Sequence, residues 1–347
     1  MKIGNVEIGN GNPVMIIAEL SANHNHDKKV AIDTIRAAKT AGADAIKLQT
    51  YRPDTLTIDC SNEYFQINQG TLWDGKTLYK LYEEAYTPWE WHEELFNVAK
   101  NEGLVCFSSP FDNTAVDLLE QLNAPAYKIA SFEIQDVELI RYAALKKKPV
   151  IISTGIAEEA DIQLALQTCY DAGNRDVMLL KCTSAYPAPL EISNMLTIPD
   201  MRKRFNVEVG LSDHTMGNTV PVVATSLGAT LIEKHFILDH NIGGPDAEFS
   251  LDPEEFRSMV TAVRNAELAL GQVSYTVPEK VKANRKFARS LFAVENIRKG
   301  EVITGTNVRS IRPGYGIHPR HLADLIGKTV NRDIERGTPF SFDFIQQ

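Results

Sequence analysis

The chain has 347 residues, 44% of them hydrophobic, and a formal net charge of −9 at pH 7. This length suits one large α/β domain with a small one, and the composition is that of a soluble globular protein rather than a disordered chain. The acidic balance argues against a nucleic-acid-binding protein, because phosphate backbones require a basic surface.

The first residues and the cysteines bear on location. Residues 1–19 lack the charged-then-apolar pattern of a signal peptide, and no apolar run approaches the roughly 18 residues that a membrane span needs. Cys106 and Cys182 lie in apolar strand-like runs, and the cysteines have no zinc-binding spacing, which suits buried thiols in a reducing compartment. We therefore expect a cytoplasmic protein that does not bind a membrane.

Residues 1–272 alternate between apolar strand-like runs and helical patterns. The sequence predicts strands near residues 14, 44, 104, 126, 150, 177, 207 and 229, the last one ending at Ile232, with a helical pattern after each. About 250 residues of such alternation indicate a (β/α)8 TIM barrel, whose active site lies at the C-terminal ends of the strands. A doubly wound open sheet is the alternative, but no GxGxxG motif follows the first strand.

Two segments depart from this alternation. A long insertion, residues 51–87, separates the second strand from its helix, and insertions of this length are usually functional. After residue 272 a polar, lysine-rich linker (273–286) leads to residues 287–347, where short β-like runs and Lys/Arg-Gly turns predict a small β domain. About 60 residues bury a thin core, so we expect this domain to dock on another surface.

Four lysines, Lys47, Lys128, Lys181 and Lys234, lie at or near the C-terminal ends of apolar strands. Burying a lysine costs several kcal/mol unless it is paired, so the sequence predicts one electropositive pit for a small anion that carries phosphate and carboxylate groups. Hydroxyl side chains at the same strand ends would donate hydrogen bonds to that anion; they are Ser131, Ser153, Thr154, Ser184 and Ser212.

His214 and His235 end two neighbouring predicted strands, and we expect the pair to hold a divalent metal. Carboxylates lie at the same rim, and one of them, such as Glu133, could act as acid or base; the full set is Glu19, Glu133, Asp213, Glu233 and Asp246. From the residues alone, metal-assisted condensation and a Schiff-base aldolase that uses a lysine both remain open. A sugar- or anion-binding module without activity is a third reading.

Eight polar motifs, in order along the chain, resemble the sialic acid synthase family: AELSANHNH, KLQTY, FSSPFD, AYKIASFE, ISTGIA, LKCTSAYP, GLSDH and IEKHF. The C-terminal segment is similar to that family's antifreeze-like (SAF, β-clip) domain. The resemblance implies condensation of phosphoenolpyruvate with an open-chain acetamido-sugar to give a nine-carbon 2-keto acid and phosphate, by C–O cleavage. It also implies a homodimer in which the small domain caps the partner's barrel.

The resemblance assigns roles to individual residues. His214 and His235 match ligands of a divalent metal, typically Mn²⁺, with Mg²⁺ or Co²⁺ possible, and Glu19 and Glu133 match substrate and acid/base positions. Arg312 matches the arginine that reaches the sugar from the small domain. The positions implied to bind phosphoenolpyruvate are Lys47, Lys128, Ser131, Ser153 and Ser212; further substrate-binding candidates are Gln49, Thr154, Ser184, Tyr186 and Asp246.

Within the family, residues 70–74 and 86–92 resemble the members that form pseudaminic acid more than those that form N-acetylneuraminate. Ser184 stands where the sialic acid members have asparagine, near the acetamido-sugar, and Lys181 is not lysine throughout the family. Both departures fit an altered sugar such as 2,4-diacetamido-2,4,6-trideoxy-L-altrose. Formation of N-acetylneuraminic or legionaminic acid is the alternative within the family.

Overall fold

The computed structural model describes residues 1–68 and 70–346 and divides the chain into two compact units. The first unit comprises Met1–Gly271, and the second begins at Gln272. In the first unit, an N-terminal hairpin, β1 (Lys2–Ile3) and β2 (Val6–Glu7), precedes the main sheet.

Eight parallel strands close into a barrel in which β10 pairs with both β3 and β9. The predicted (β/α)8 architecture is therefore confirmed. The predicted end of the last barrel strand at Ile232 was wrong, because residues 233–235 continue the parallel pairing with β3. The strands are β3 (Met15–Glu19), β4 (Ala45–Thr50), β5 (Val105–Pro110), β6 (Tyr127–Ile129), β7 (Val150–Ser153), β8 (Val177–Cys182), β9 (Glu208–Asp213) and β10 (Leu231–His235).

Helices follow the strands and cover the barrel. Their caps follow from sequence: Asp27 accepts a hydrogen bond at the start of α1, and Gly42 ends α1 with φ 100°, a conformation that glycine adopts at little cost. The helices of this unit are α1 (Lys28–Ala41), α2 (Pro53–Leu56), α3 (Leu78–Ala85), α4 (His92–Asn101), α5 (Asn113–Gln121), α6 (Val137–Leu145), α7 (Glu159–Asp171), α8 (Thr197–Phe205), α9 (Thr219–Ser226) and α10 (Pro253–Leu270).

The strands are buried on both faces, and two apolar clusters divide their side chains by parity. Ile17, Phe107 and Leu231 pack together inside the barrel, where Ile3 of the N-terminal hairpin joins them. Ile16 and the other side chains of opposite parity pack outward against the helices. Since successive side chains of a strand point to opposite faces, this parity also decides which polar residues near the strand ends turn into the barrel mouth.

The second unit holds two antiparallel strands, β11 (Ser290–Ala293) and β12 (Val308–Ile311), with the short helices α11 (Glu279–Lys282) and α12 (Leu322–Leu325). Leu291, Ile303, Val330 and Phe340 belong to its small apolar core. Across residues 1–68 and 70–346, no helix combines the length and the apolar character needed to cross a bilayer.

Candidate active site

Two lysines and two glutamates form a buried charge network inside the barrel mouth. Lys47 Nζ lies 2.6 Å from Glu19 Oε2 and 3.6 Å from Glu233 Oε1. Lys128 Nζ lies 3.4 Å from the same Glu233 oxygen, and Ser212 Oγ donates to that oxygen at 3.2 Å. Glu233 therefore bridges both lysines and offsets part of their positive charge.

The other two lysines do not join this network, which corrects the expectation of four ammonium groups around one pit. Lys234 pairs with Asp213 Oδ2 at 2.6 Å, and Lys181 donates to the Cys182 carbonyl at 2.7 Å. Strand parity explains the difference, since both residues are offset by one from their inward-facing neighbours Glu233 and Cys182. Lys234 and Lys181 therefore stabilise the structure around the pit through these contacts.

Burial sets the ionisation of the carboxyl groups in the mouth. For Glu19, desolvation outweighs the attraction of Lys47 and raises its pKa to about 7. Desolvation likewise raises the pKa of Glu133 to about 7, although the Lys128 charge opposes this shift. Glu133 keeps partial exposure, but its Oε2 is shielded from water and lacks a hydrogen-bond partner among the described residues. Both groups can therefore exchange a proton near neutral pH.

His214 and His235 face each other across the mouth, with ring centroids 5.3 Å apart. Nδ1 of His214 lies 2.9 Å from the Thr183 carbonyl oxygen, to which the neutral ring donates, so that Nε2 keeps its lone pair for a ligand. Nδ1 of His235 is buried without a hydrogen-bond partner in the part of the chain described, 3.7 Å from Asp246 Oδ2. This donor set fits a divalent metal.

A second group of potential ligands lies outside the mouth. His240, Asp252 and Glu255 bring their donor atoms within 4.8 Å of one another, and no other cluster of three or more such groups occurs among residues 1–68 and 70–346. Local structure accounts for it: Asp252 and Glu255 form the capping box of α10, and His240 contacts Glu255 at 3.3 Å. This exposed cluster needs no metal to explain it.

Small side chains surround Gly155 at the end of β7. A Cβ at Gly155 would lie 2.0 Å from Ser184 Oγ and 2.7 Å from Ser131 Oγ, so this position has no room for a side chain. The Gly155 amide donates to Ser131 Oγ at 3.1 Å, whereas Ser153 Oγ is buried without a partner among the described residues. The Thr154 hydroxyl donates a hydrogen bond to the Leu180 carbonyl at 3.0 Å, which is a structural role.

A series of hydrogen bonds connects β3, the first strand of the barrel, with the segment after β10 that carries Asp246. Gln49 Nε2 donates to Glu19 Oε1 at 3.2 Å and to Ser21 Oγ at 2.8 Å. Ser21 in turn donates to Asp246 Oδ2 at 2.5 Å. Ser21 and Asp246 are 225 residues apart, and Ser21 has φ 47°, so no periodic pattern in the sequence indicated this contact.

Aromatic rings extend outward from the histidine pair. The ring of Tyr186 lies 4.4 Å from that of His214 and 5.0 Å from that of Phe249, while the Trp73 ring lies 5.6 Å from Tyr186. The Trp73 indole N–H donates to the Pro245 carbonyl at 2.9 Å, which fixes the long insertion onto the loop that carries Asp246. We refer to Trp73, Tyr186 and Phe249 as the aromatic wall.

The barrel mouth thus brings together most of the predicted site residues of the first unit, but Lys181, Lys234 and Asp213 are engaged in other contacts. Arg312 lies exposed in the second unit, directly after β12. Sequence reasoning missed Ser21 and Gly155 as site residues, and it placed Glu233 at the rim of the mouth without giving it a role of its own. Parity could have assigned Glu233 to the inner face of the barrel, because it stands two residues before His235 on β10 and must share its face. No comparable signal existed for Ser21.

The NeuB family model matches residues 34–275, and the SAF domain model matches residues 288–346. The chain is 50% identical over 335 residues to the pseudaminic acid synthase of Campylobacter jejuni strain 81-176, covering 96% of this chain and 97% of that protein. It is 46% identical to the pseudaminic acid synthase of Helicobacter pylori, covering 96% and 98%. A solved structure, the spore coat polysaccharide biosynthesis protein of Bacillus subtilis, is 34% identical, with a TM-score of 0.68 and coverage of 100% and 99%.

These matches run nearly the full length of each relative, so they bear on both units of the chain. They confirm the resemblance that the polar motifs carried, and they confirm an SAF domain after the barrel. The chain belongs to the NeuB family, that of the sialic acid synthases.

Proposed function

We propose that this protein condenses phosphoenolpyruvate with 2,4-diacetamido-2,4,6-trideoxy-L-altrose to give pseudaminic acid and inorganic phosphate. The observation that carries the proposal is the barrel mouth, in which the buried ammonium groups of Lys47 and Lys128 lie near the imidazole pair of His214 and His235. Relatives that are named pseudaminic acid synthases, at 46–50% identity over 96% of the chain, favour this sugar over others used in the family.

The anionic substrate fits the charged side of the mouth. Lys47 and Lys128 would bind its phosphate and carboxylate, and the unpartnered Ser153 hydroxyl would donate to the same groups. Gly155, with no space for a Cβ beside Ser131 and Ser184, keeps the backbone close to that anion. The ion pairs of Glu233 with both lysines would then weaken, because the anion would compete for the ammonium groups.

In the reaction, C3 of the enolpyruvyl unit forms a bond to the aldehyde carbon, whose oxygen takes a proton. Water adds to C2, the C2–O bond to phosphate breaks, and the proton left on the new C2 hydroxyl departs with the phosphate, so the product is a 2-keto acid and inorganic phosphate. We propose Glu133 as the proton donor to the aldehyde oxygen, since its buried Oε2 has no partner among the described residues and its pKa is about 7. Glu19, which Lys47 and Gln49 hold in place, would accept the proton of the attacking water.

We propose that His214 and His235 hold a divalent metal, Mn²⁺ in the first instance, with Mg²⁺ or Co²⁺ as alternatives. When bound, the ion would supply Lewis-acid polarisation of the aldehyde carbonyl. Asp246, 3.7 Å from His235 Nδ1 and hydrogen-bonded to Ser21, would orient that imidazole and receive a sugar hydroxyl.

Phosphate release from phosphoenolpyruvate, measured against a panel of acetamido-sugars, tests the function. We expect rapid release with 2,4-diacetamido-2,4,6-trideoxy-L-altrose and slow release with N-acetylmannosamine or the legionaminic acid precursor. Turnover of N-acetylmannosamine alone would overturn the assignment. Borohydride treatment with substrate separates the aldolase alternative: we expect no trapped adduct on Lys47 or Lys128, and an adduct there would replace condensation by imine chemistry.

We further propose a homodimer in which residues 287–347, joined by the linker 273–286, cap the partner's barrel. The charges support this, because residues 272–347 carry 13 Lys+Arg against 7 Asp+Glu, whereas residues 1–271 carry 23 against 38. A basic domain with a thin core and an acidic barrel attract each other across two copies of the chain. Arg312, exposed after β12, would reach the sugar in the partner's site.

Mixing two inactive variants tests the capping. A dimer of His214→Ala and Arg312→Ala chains would contain one intact barrel capped by one intact Arg312 if capping acts between chains. We therefore expect the mixture, after exchange of subunits, to regain about a quarter of wild-type activity, since half the chains pair unlike and each such dimer has one complete site. An Arg309→Ala chain, altered at an exposed arginine of β12, is the control and should be active alone. A mixture as inactive as its components would place Arg312 and the barrel in one chain.

A further inference from the structure

The geometry points to Trp73 as a residue that determines sugar specificity: its indole contacts the apolar end of the sugar, that is, the C6 methyl group and the methyl of the acetamido group on C4. This inference rests on the proposed function and deepens it. It concerns the long insertion after β4, whose length of 37 residues (51–87) a barrel connection does not need.

The position of Trp73 follows from the order of the rings. The aldehyde end of the sugar has to meet the enolpyruvyl unit near His214 and His235, and Tyr186 is the next ring outward, with Trp73 beyond it. An extended six-carbon chain spans roughly 6 Å, so its sixth carbon falls beside Tyr186 and Trp73 when the first carbon is at the histidine pair. The far end of the substrate thus meets ring surface rather than the charged pit.

The Trp73 ring is held in this place by a hydrogen bond to Pro245 and by its contact with the ring of Tyr186. Its N–H donates to the Pro245 carbonyl, so the polar edge of the indole is satisfied and its faces remain apolar. Pro245 precedes Asp246, the residue that hydrogen-bonds Ser21, so the same loop presents an apolar surface next to a carboxylate. A substrate with a methyl group at one end and hydroxyls along its chain matches that sequence of surfaces.

Beyond the indole lies an open cleft of about 490 Å³. Its lining includes the apolar residues Trp73, Leu72 and Pro245 and the charged residues Lys76, Glu84 and Glu248. Lys76 and Glu84 form an ion pair with each other. The cleft therefore gives a bulky acetamido group room, while an extra hydroxyl at C6 would face the ring, where it would lose hydrogen bonds to water.

The test compares two sugars that differ at C6 alone, 2,4-diacetamido-2,4,6-trideoxy-L-altrose and its 6-hydroxy counterpart. For wild type we expect kcat/KM to favour the deoxy sugar by about 10- to 100-fold, the range that an apolar pocket provides against an added hydroxyl. In Trp73→Ala this preference should fall at least tenfold through a higher KM for the deoxy sugar, while the KM for phosphoenolpyruvate stays within twofold. Trp73→Phe keeps an apolar ring and should keep most of the preference.

Trp89 offers a matched control, because its indole N–H donates to a backbone carbonyl, that of Tyr51, at 3.0 Å, yet it does not belong to the aromatic wall. Trp89→Phe should leave the sugar preference unchanged. If Trp73→Ala does not fold, Trp73→Gln against Trp73→Leu decides, since the polar amide should abolish the preference and leucine should retain it. A wild-type preference that survives alanine or glutamine at position 73 overturns this inference and leaves the proposed function intact. No turnover of either sugar by the wild-type enzyme overturns the proposed function itself.

Discussion

Replacing His214 by alanine is expected to abolish tight Mn²⁺ binding and to lower kcat by more than about a hundredfold, since losing a group that merely orients a ligand already costs 10- to 100-fold. The physical reason is the donor set. The Thr183 carbonyl holds His214 through Nδ1, which leaves Nε2 for the metal, and the ring centroids of His214 and His235 are 5.3 Å apart. His235 alone offers one imidazole. Calorimetric titration of the metal-free protein with Mn²⁺, alongside steady-state kinetics, measures both effects.

His240→Ala is the matched control for this prediction. His240 belongs to the exposed cluster with Asp252 and Glu255, whose contacts are explained by the start of α10. We expect His240→Ala to bind Mn²⁺ and turn over substrate as wild type does. The opposite pattern, with Mn²⁺ binding lost in His240→Ala and retained in His214→Ala, would move the metal to the outer cluster. Thermal melts of the metal-free variants show whether either change disturbs folding.

The barrel and much of its mouth could be predicted from sequence because strands carry a simple period. Apolar runs of strand length located all eight strands, and polar residues at their ends identified Lys47, Lys128, His214 and His235. The alternation of side chains along each strand would also have shown that Lys47 faces the inside of the barrel and Lys234 the outside. The prediction of a pit with four lysines was wrong for this reason, because a position near a strand end does not determine which face of the sheet a side chain occupies.

Contacts made by loops could not be read from the sequence. Ser21 meets Asp246, and Trp73 meets Pro245, across more than 170 residues of chain, through loop conformations that no repeat encodes. The motif around Trp73 did mark the insertion as unusual, but it could not show that the indole lies against Tyr186. The strands therefore give the reacting end of the site, and the loops give the end that we expect to select the sugar.

Glu133→Gln is expected to lower kcat by about 10²- to 10⁴-fold, the usual contribution of a general acid, because glutamine cannot give up a proton to the aldehyde oxygen. The wild-type kcat profile should be bell-shaped around pH 7, because the pKa values of Glu19 and Glu133 are both raised to about 7. Its rising limb reports the ionisation of the base Glu19, and its falling limb above pH 7 reports the ionisation of the acid Glu133. The falling limb should be absent from the residual activity of the variant. A variant that instead loses the rising limb would make Glu133 the base and leave Glu19 as the donor.

The same substitution should stabilise the fold above neutral pH. A carboxyl group whose pKa is raised from 4.5 unfolded to about 7 folded costs stability as pH rises through that window, because the folded state then has to hold a poorly solvated charge. With 1.36 kcal/mol per pKa unit, the gain for Glu133→Gln at pH 8 relative to pH 5 has an upper limit of about 3 kcal/mol, reduced by the partial exposure of the residue. Urea unfolding of both proteins at the two pH values measures it, with Glu138→Gln on the exposed face of α6 as the control that should show no such gain. Equal stability differences at pH 5 and pH 8 would mean that Glu133 keeps an ordinary pKa, and the proton donor would have to be sought elsewhere in the mouth.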